Sequence, residues 1–183
     1  SPAQDLDEDR TAVLRPSPFD AVLPHPWRLR FANGNRWPGG RGEHISAVRR
    51  KIIAERISRQ RGYRFAGSAN KGHGLDRALQ PIWHLHQRWK DFVKTCNYQV
   101  AKDVGQQCVE RQCGTLIYCQ PVGILESRFL ACAGKSGDVQ DSSGWDWYQM
   151  ASRLGTLCQE AGIKLVVRKS GERKAQQAHE DAA

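Results

Sequence analysis

Gly114-Thr115-Leu116-Ile117-Tyr118-Cys119-Gln120-Pro121 is the stretch on which the fold turns. A short apolar run closed in by glycine and proline reads as a buried strand. What precedes it fixes its setting. From Leu75 onward the apolar or semi-apolar positions Leu79, Ile82, His86, Trp89, Val93, Cys96, Val100, Val104 and Cys108 recur in steps that alternate between four and three. That is a helical period close to 3.5. Pro81 suits a first helical turn, so the pattern predicts a helix over 81–111, ended by Cys113-Gly114. At ~1.5 Å per residue it would exceed 40 Å.

Working outward, Ile45, Val48, Ile52, Ile53 and Ile57 mark one face of a helix over 43–61. Trp27-Arg28-Leu29-Arg30-Phe31 alternates and reads as a strand with its basic side outward. Beyond the central strand, Arg128 to Ala133 is a second apolar run. Trp147, Met150, Ala151, Leu154, Leu157, Cys158 and Ala161 trace a further amphipathic helix stopped by Gly162, and Ile163-Lys164-Leu165-Val166-Val167 reads as a strand. The order helix, helix, strand, strand, helix, strand indicates an α/β fold, a sheet covered by long helices. Residues 1–40 read as an acidic tail followed by a Pro/Gly-rich ordered loop, 41–168 as the core, and 169–183 as a charged, flexible tail. No internal repeat is present.

The chain has 183 residues, enough for one domain with a real core, or for part of a larger protein. Its 28 Lys and Arg outnumber 19 Asp and Glu, giving a net charge of +9. Eight basic residues against two acidic ones fall within 41–64, so six of those nine charges are concentrated there. A surplus of this kind favours a polyanionic partner, nucleic acid before membrane; the bland alternative is a solvated basic surface. Arg49, Arg50, Lys51, Arg56 and Arg59 are the candidate contacts to a phosphate backbone, which Arg and Lys grip without reading sequence. Trp37, Tyr63 and Phe65 are available to stack on unpaired bases or to pack in the core. No run approaches the ~18 apolar residues of a membrane span. The first residues, Ser1-Pro2-Ala3, show neither an initiator Met nor a signal-peptide pattern, as expected for a fragment of a longer reading frame. Six cysteines without C-x-x-C spacing exclude a zinc ribbon within this stretch and suggest reduced core thiols in a cytoplasmic protein.

Trp89-Lys90-Asp91-Phe92-Val93-Lys94-Thr95-Cys96-Asn97-Tyr98-Gln99-Val100-Ala101 resembles the long helix of the TnpB transposon nucleases and their type V CRISPR (Cas12-like) relatives. The resemblance extends over about 42–168 and includes Gly123-Ile124 and the later helix and strand from Trp145 to Val167. It implies an RNase H/RuvC-like sheet in an RNA-guided DNA endonuclease, with guide RNA and target DNA as partners and Mg²⁺ as the metal of intact relatives. In that family the strand ends in Glu-Asp-Leu-x-Gly-Ile, with the Glu a metal ligand. Gly123-Ile124 places Cys119 at the Glu and Gln120 at the Asp.

Three departures follow. No Gly-x-Asp-x-Gly strand precedes residue 41, the Glu is replaced, and the zinc ribbon with its following aspartate is missing. Two-metal phosphodiester hydrolysis needs carboxylates, and Mg²⁺ prefers hard oxygen ligands to sulfur. Hence no catalytic residue and no metal are assigned; Glu126 is a weak candidate, more simply a solvated turn carboxylate. Two further readings compete: a non-catalytic DNA- or RNA-binding adaptor or repressor, and a general interaction module with a solubilising basic face. His84 and His86, two apart, lie on different helix faces. Gly67 to Gly74 lacks a Walker ending and does not follow a strand. Asp146 reads as a helix start.

Overall fold

The computed structural model describes residues 6–16, 25–65, 73–121 and 145–169. Within the described residues five strands and three helices follow in the order β1 (Asp7–Pro16), β2 (Trp27–Phe31), β3 (Arg36–Gly39), α1 (Gly42–Phe65), α2 (His73–Glu110), β4 (Cys113–Gln120), α3 (Trp147–Ala161) and β5 (Lys164–Lys169). The sheet order is β3-β2-β1-β4-β5. β1 pairs antiparallel with β2, and β2 with β3, whereas β1–β4 and β4–β5 are parallel. This is the mixed α/β sheet with long covering helices that the sequence implies.

Both long helices exceed their expected bounds. Periodicity gives 81–111 for α2, and it runs from His73 to Glu110, about 57 Å. Pro81 therefore lies inside the helix rather than in its first turn. A proline there forfeits one i→i−4 bond, and the residues before it (Leu75, Arg77, Ala78, Leu79, Gln80) are strong helix formers that carry the helix back past it. The stretch expected as an acidic tail contributes more than expected: from Asp7 it forms the centre of the sheet, and β1 to β3 supply three of its five strands. The run at 128–133, the Gly-rich 67–72 and residues 170–183 lie outside the described residues.

One face of the sheet is dry. Ala12 and Leu14 of β1, Trp27, Leu29 and Phe31 of β2, and Leu116 and Tyr118 of β4 are all buried. Against them pack Trp89, Val93, Val100, Val104 and Cys108 of α2 and Trp147, Met150, Leu154 and Cys158 of α3. Four tryptophans knit sheet to helices: the Trp145 ring lies 6.2 Å from Trp27 and 6.3 Å from Trp89, and Trp147 lies 5.7 Å from Trp27 in an edge-on contact. Such tilted and edge-to-face pairs add to simple area burial. Asn97 is fully buried among them. Its Oδ1 accepts from Trp145 Nε1 at 2.8 Å, and its Nδ2 donates to the Asp146 carbonyl at 3.0 Å and to Gln149 Oε1 at 3.2 Å. α2 thereby holds the start of α3, which Asp146 caps by accepting from the Gln149 amide at 2.9 Å. The left-handed Gly162 ends α3.

At Gly114 the backbone of β1 lies close against β4. A Cβ there would lie 2.6 Å from the Asp7 carbonyl oxygen and 2.8 Å from Glu8 Cα. The β1–β4 register shifts just beyond, between Asp7 and Thr11.

Candidate nucleic-acid interface

The five basic candidates of α1 separate once the helix is folded against α2. Arg50 and Lys51 are exposed. Arg49 is half-buried, its guanidinium carbon 5.7 Å from the centroid of the Trp89 ring, a cation–π distance. Arg59 Nη2 donates to Glu55 Oε1 at 2.7 Å, and Arg88 of α2 donates to the other oxygen of the same carboxylate at 3.1 Å. Partial desolvation raises the Glu55 carboxyl, but the hydrogen bonds and charges of Arg59 and Arg88 more than offset it and leave it below its ordinary range. Arg56 is half-buried as well. Glu43, Ala47, Arg50, Lys51, Ala54, Ser58 and Arg61 make up the exposed stripe of α1, at helical spacing. Among the described side chains of α1, Arg50, Lys51 and Arg61 are therefore the outward cations. Arg61 belongs with the candidates, and the i, i+3/i+4 geometry is the signal for it. Trp37 packs half-buried against the core, and the side chains of Tyr63 and Phe65 lie outside the described ones.

At the end of β4, alternation sends Cys119 and Gln120 to opposite faces. Gln120 is buried on the helix side in line with Leu116 and Tyr118, while Cys119 is half-buried on the other. Cys119 pairs across the sheet with Arg168 of β5. On its other side the last registered pair is Leu14–Tyr118, and one residue further on Arg15 stands beside Cys119. A thiol is a poor seat for Mg²⁺, which takes hard oxygen ligands. The residues present do not fit that metal. Among the described residues, no three of His, Cys, Asp and Glu come together in a group that could hold a metal ion. Glu126 lies outside the described residues.

Among the described residues, Cys108, Cys113 and Cys158 belong to the core and Cys96 packs against it, while Cys132 lies outside them. Burial pushes Cys108 up to about 12 and Cys96 and Cys158 up to about 11, and raises Cys113 as well. His84 is exposed and His86 half-buried, on different faces of α2. No described helix is long and apolar enough to cross a membrane.

The architecture defines the class first: an RNase H/RuvC-like sheet, in which two parallel strands continue an antiparallel three-stranded meander. No protein-family model matches the chain. Two curated proteins, both CRISPR-associated endodeoxyribonucleases named Cas12f1, do match. That of Syntrophomonas palmitatica is 31% identical over 131 residues, 70% of this chain and 23% of its own length. That of Sulfoacidibacillus thermotolerans is 28% identical over 127 residues, 68% of this chain and 27% of its own length. The fold agrees. A chain of a CRISPR–Cas12f ternary complex superposes over 88% of this chain with a TM-score of 0.64 at 17% identity, covering 29% of the other chain. A chain of a Cas12f1–sgRNA–target DNA complex does so over 90% with a TM-score of 0.60 at 11% identity, covering 37% of the other. This chain is thus similar, in sequence and in fold, to part of the Cas12f1 endodeoxyribonucleases, and it spans about a quarter of the length of the curated relatives it matches.

Proposed function

We propose that this chain is the RuvC-like portion of an RNA-guided, DNA-targeting protein of the TnpB/type V CRISPR kind, and that it binds nucleic acid without cutting it. The match to the Cas12f1 endodeoxyribonucleases over 131 residues carries the reading. Guide RNA and target DNA are the partners, as in the Cas12f1–sgRNA–target DNA complex whose fold it shares, and the cytoplasm is where they would meet. The outward cations of α1 (Arg50, Lys51 and Arg61) contribute backbone contacts that are salt-sensitive and indifferent to sequence. The strand end at Cys119 favours silenced over active chemistry: a carboxylate there would give a hard ligand to Mg²⁺, whereas the thiol of Cys119 gives none. The same feature favours a second reading, a non-catalytic DNA- or RNA-binding adaptor or repressor with the same surfaces.

One titration tests both. The purified chain is mixed with structured RNA, single-stranded DNA and duplex DNA over a range of salt, with Mg²⁺-dependent cleavage followed in the same samples. Binding that weakens steeply with salt, without cleavage, is the expected result. Mg²⁺-dependent cleavage that survives Cys119→Ala would show that the hydrolytic site lies elsewhere and that the chain is not silenced.

A further inference from the structure

The face of the sheet turned away from the helices has a composition of its own. Strand alternation puts Arg15 of β1, Arg28 and Arg30 of β2, Arg36 of β3, and Lys164 and Arg168 of β5 on that side, and all six are exposed. They lie in rows. Arg28 is paired with Arg15, whose neighbour on β4 is Cys119, and Cys119 is paired with Arg168. The next row runs Arg36–Arg30–Val13–Ile117–Val166. No carboxylate occupies either row. The described ion pairs, Arg10–Asp7, Arg59–Glu55 and Arg88–Glu55, leave all six cations out.

Two of these contacts are unfavourable in the isolated protein. Arg15 directly opposes Arg28, and Arg30 directly opposes Arg36, each across an antiparallel pair. Like charges in direct cross-strand register destabilise a sheet. Protection of sheet edges accounts for basic residues on β3 and β5, which are the edge strands. It does not account for Arg15, Arg28 and Arg30, which sit on interior strands. A polyanion laid over the face would turn this repulsion into binding energy.

We infer that this open face, with Arg15, Arg28 and Arg30 at its centre, is a second nucleic-acid surface that holds a phosphodiester backbone without any metal. A nucleic acid suits it better than an anionic membrane. The apolar row between the cations is Val13, Ile117 and Val166, half-buried and β-branched, with no large aromatic or leucine to enter a lipid interface. The inference rests on the proposed function in one respect, that nucleic acid is the partner, and it adds a binding surface on the sheet to the one on α1.

The test compares two variants of the whole chain in EDTA: Arg15→Thr/Arg28→Thr/Arg30→Thr on the sheet, threonine being a good strand residue, and Arg50→Gln/Lys51→Gln/Arg61→Gln on α1. Binding to single-stranded DNA, single-stranded RNA and duplex DNA is measured from 50 to 300 mM NaCl, with melting temperature in parallel. The sheet variant is expected to bind single strands at least tenfold more weakly, with a log–log salt slope shallower by about 0.7 for each phosphate no longer neutralised. Its melting temperature without ligand is expected to rise, because the opposed arginine pairs are gone. Affinity and slope equal to those of the unaltered chain would overturn the inference, as would weaker binding that comes with a lower melting temperature. Weakening confined to the α1 variant removes the sheet surface and leaves the functional reading standing. Failure of the unaltered chain to bind any of the three nucleic acids sinks that reading and the inference with it. An equal drop in binding to anionic vesicles in the sheet variant would assign the face to membrane and overturn it too.

Discussion

The two faces of the sheet are made from the same strands yet answer to different demands. Along β2, Trp27, Leu29 and Phe31 are buried and Arg28 and Arg30, between them, are exposed. Every second residue joins the tryptophan-lined core under α2 and α3, and every other one adds a positive charge to the open side. The covered face is selected for packing, so its substitutions are read in stability. The open face tolerates directly opposed arginines, a local cost that packing does not explain.

Neighbouring residues of β2 give the sharpest contrast. Trp27→Ala removes a fully buried ring that meets Trp145 and Trp147, and it is expected to cost about 3–5 kcal/mol in chemical denaturation. Arg28→Ala, one residue on, should change stability by no more than about 0.5 kcal/mol. Comparable destabilisation by the two would mean that the open face is packed like the covered one.

A smaller effect is expected at the joint between α2 and α3. Asn97→Ala strips the Trp145 indole N–H of its acceptor and frees the start of α3. An unsatisfied buried donor costs about 1–3 kcal/mol. Asn97→Asp keeps an acceptor for Trp145 but buries a carboxylate beside the Asp146 carbonyl, so it should be no better than alanine at neutral pH. Recovery of the Asp variant near pH 4, where the carboxyl takes up a proton, would identify charge burial as the cause.

Much of this division could be read along the chain, and its limits have a physical origin. The elements set by their own periodicity, α1, α2, β4, α3 and β5, are found close to where apolar spacing puts them, and the alternation at 27–31 announces a basic-sided strand. β1 could not be found in that way. Asp7 to Arg10 are charged, and the segment is a strand because β2 and β4 pair with it from either side, a non-local cause. The same holds for the row of cations. Arg28 and Arg30 are visible as a pair, but Arg15 and Arg168 reach their places only through the register of distant strands. In α1 the run of basic residues is plain in the sequence, yet a count of charges carries no phase. Arg49 and Arg59 turn toward Trp89 and Glu55, and Arg61 faces outward. Asn97 sits on the inner stripe at four residues from Val93, and its spacing, rather than its polarity, was the signal to follow.

The cysteines offer the gentlest way to separate the two faces. Cys108 and Cys158 are buried on the helix side, their thiols pushed up to about 12 and about 11, whereas Cys119 is half-buried on the open side and more accessible to a reagent. Thiolate is the reactive form, so iodoacetamide at pH 8 should label Cys119 well before either core thiol, as read by peptide mass spectrometry, with little change in melting temperature. The core thiols should instead register as a dependence of stability on pH. Their folded values lie above the ordinary 9, so between about pH 9 and 11 the folded chain keeps protons that the unfolded chain has released. Unfolding then releases protons, and stability falls as pH rises through that window, having been fully present below it. Replacing Cys108 and Cys158 together with alanine should flatten the decline, at the expense of packing. Labelling of Cys108 as fast as Cys119 in the folded chain would show that the helix-covered face opens readily, and the contrast between a dry face and a charged one would then rest on charge alone.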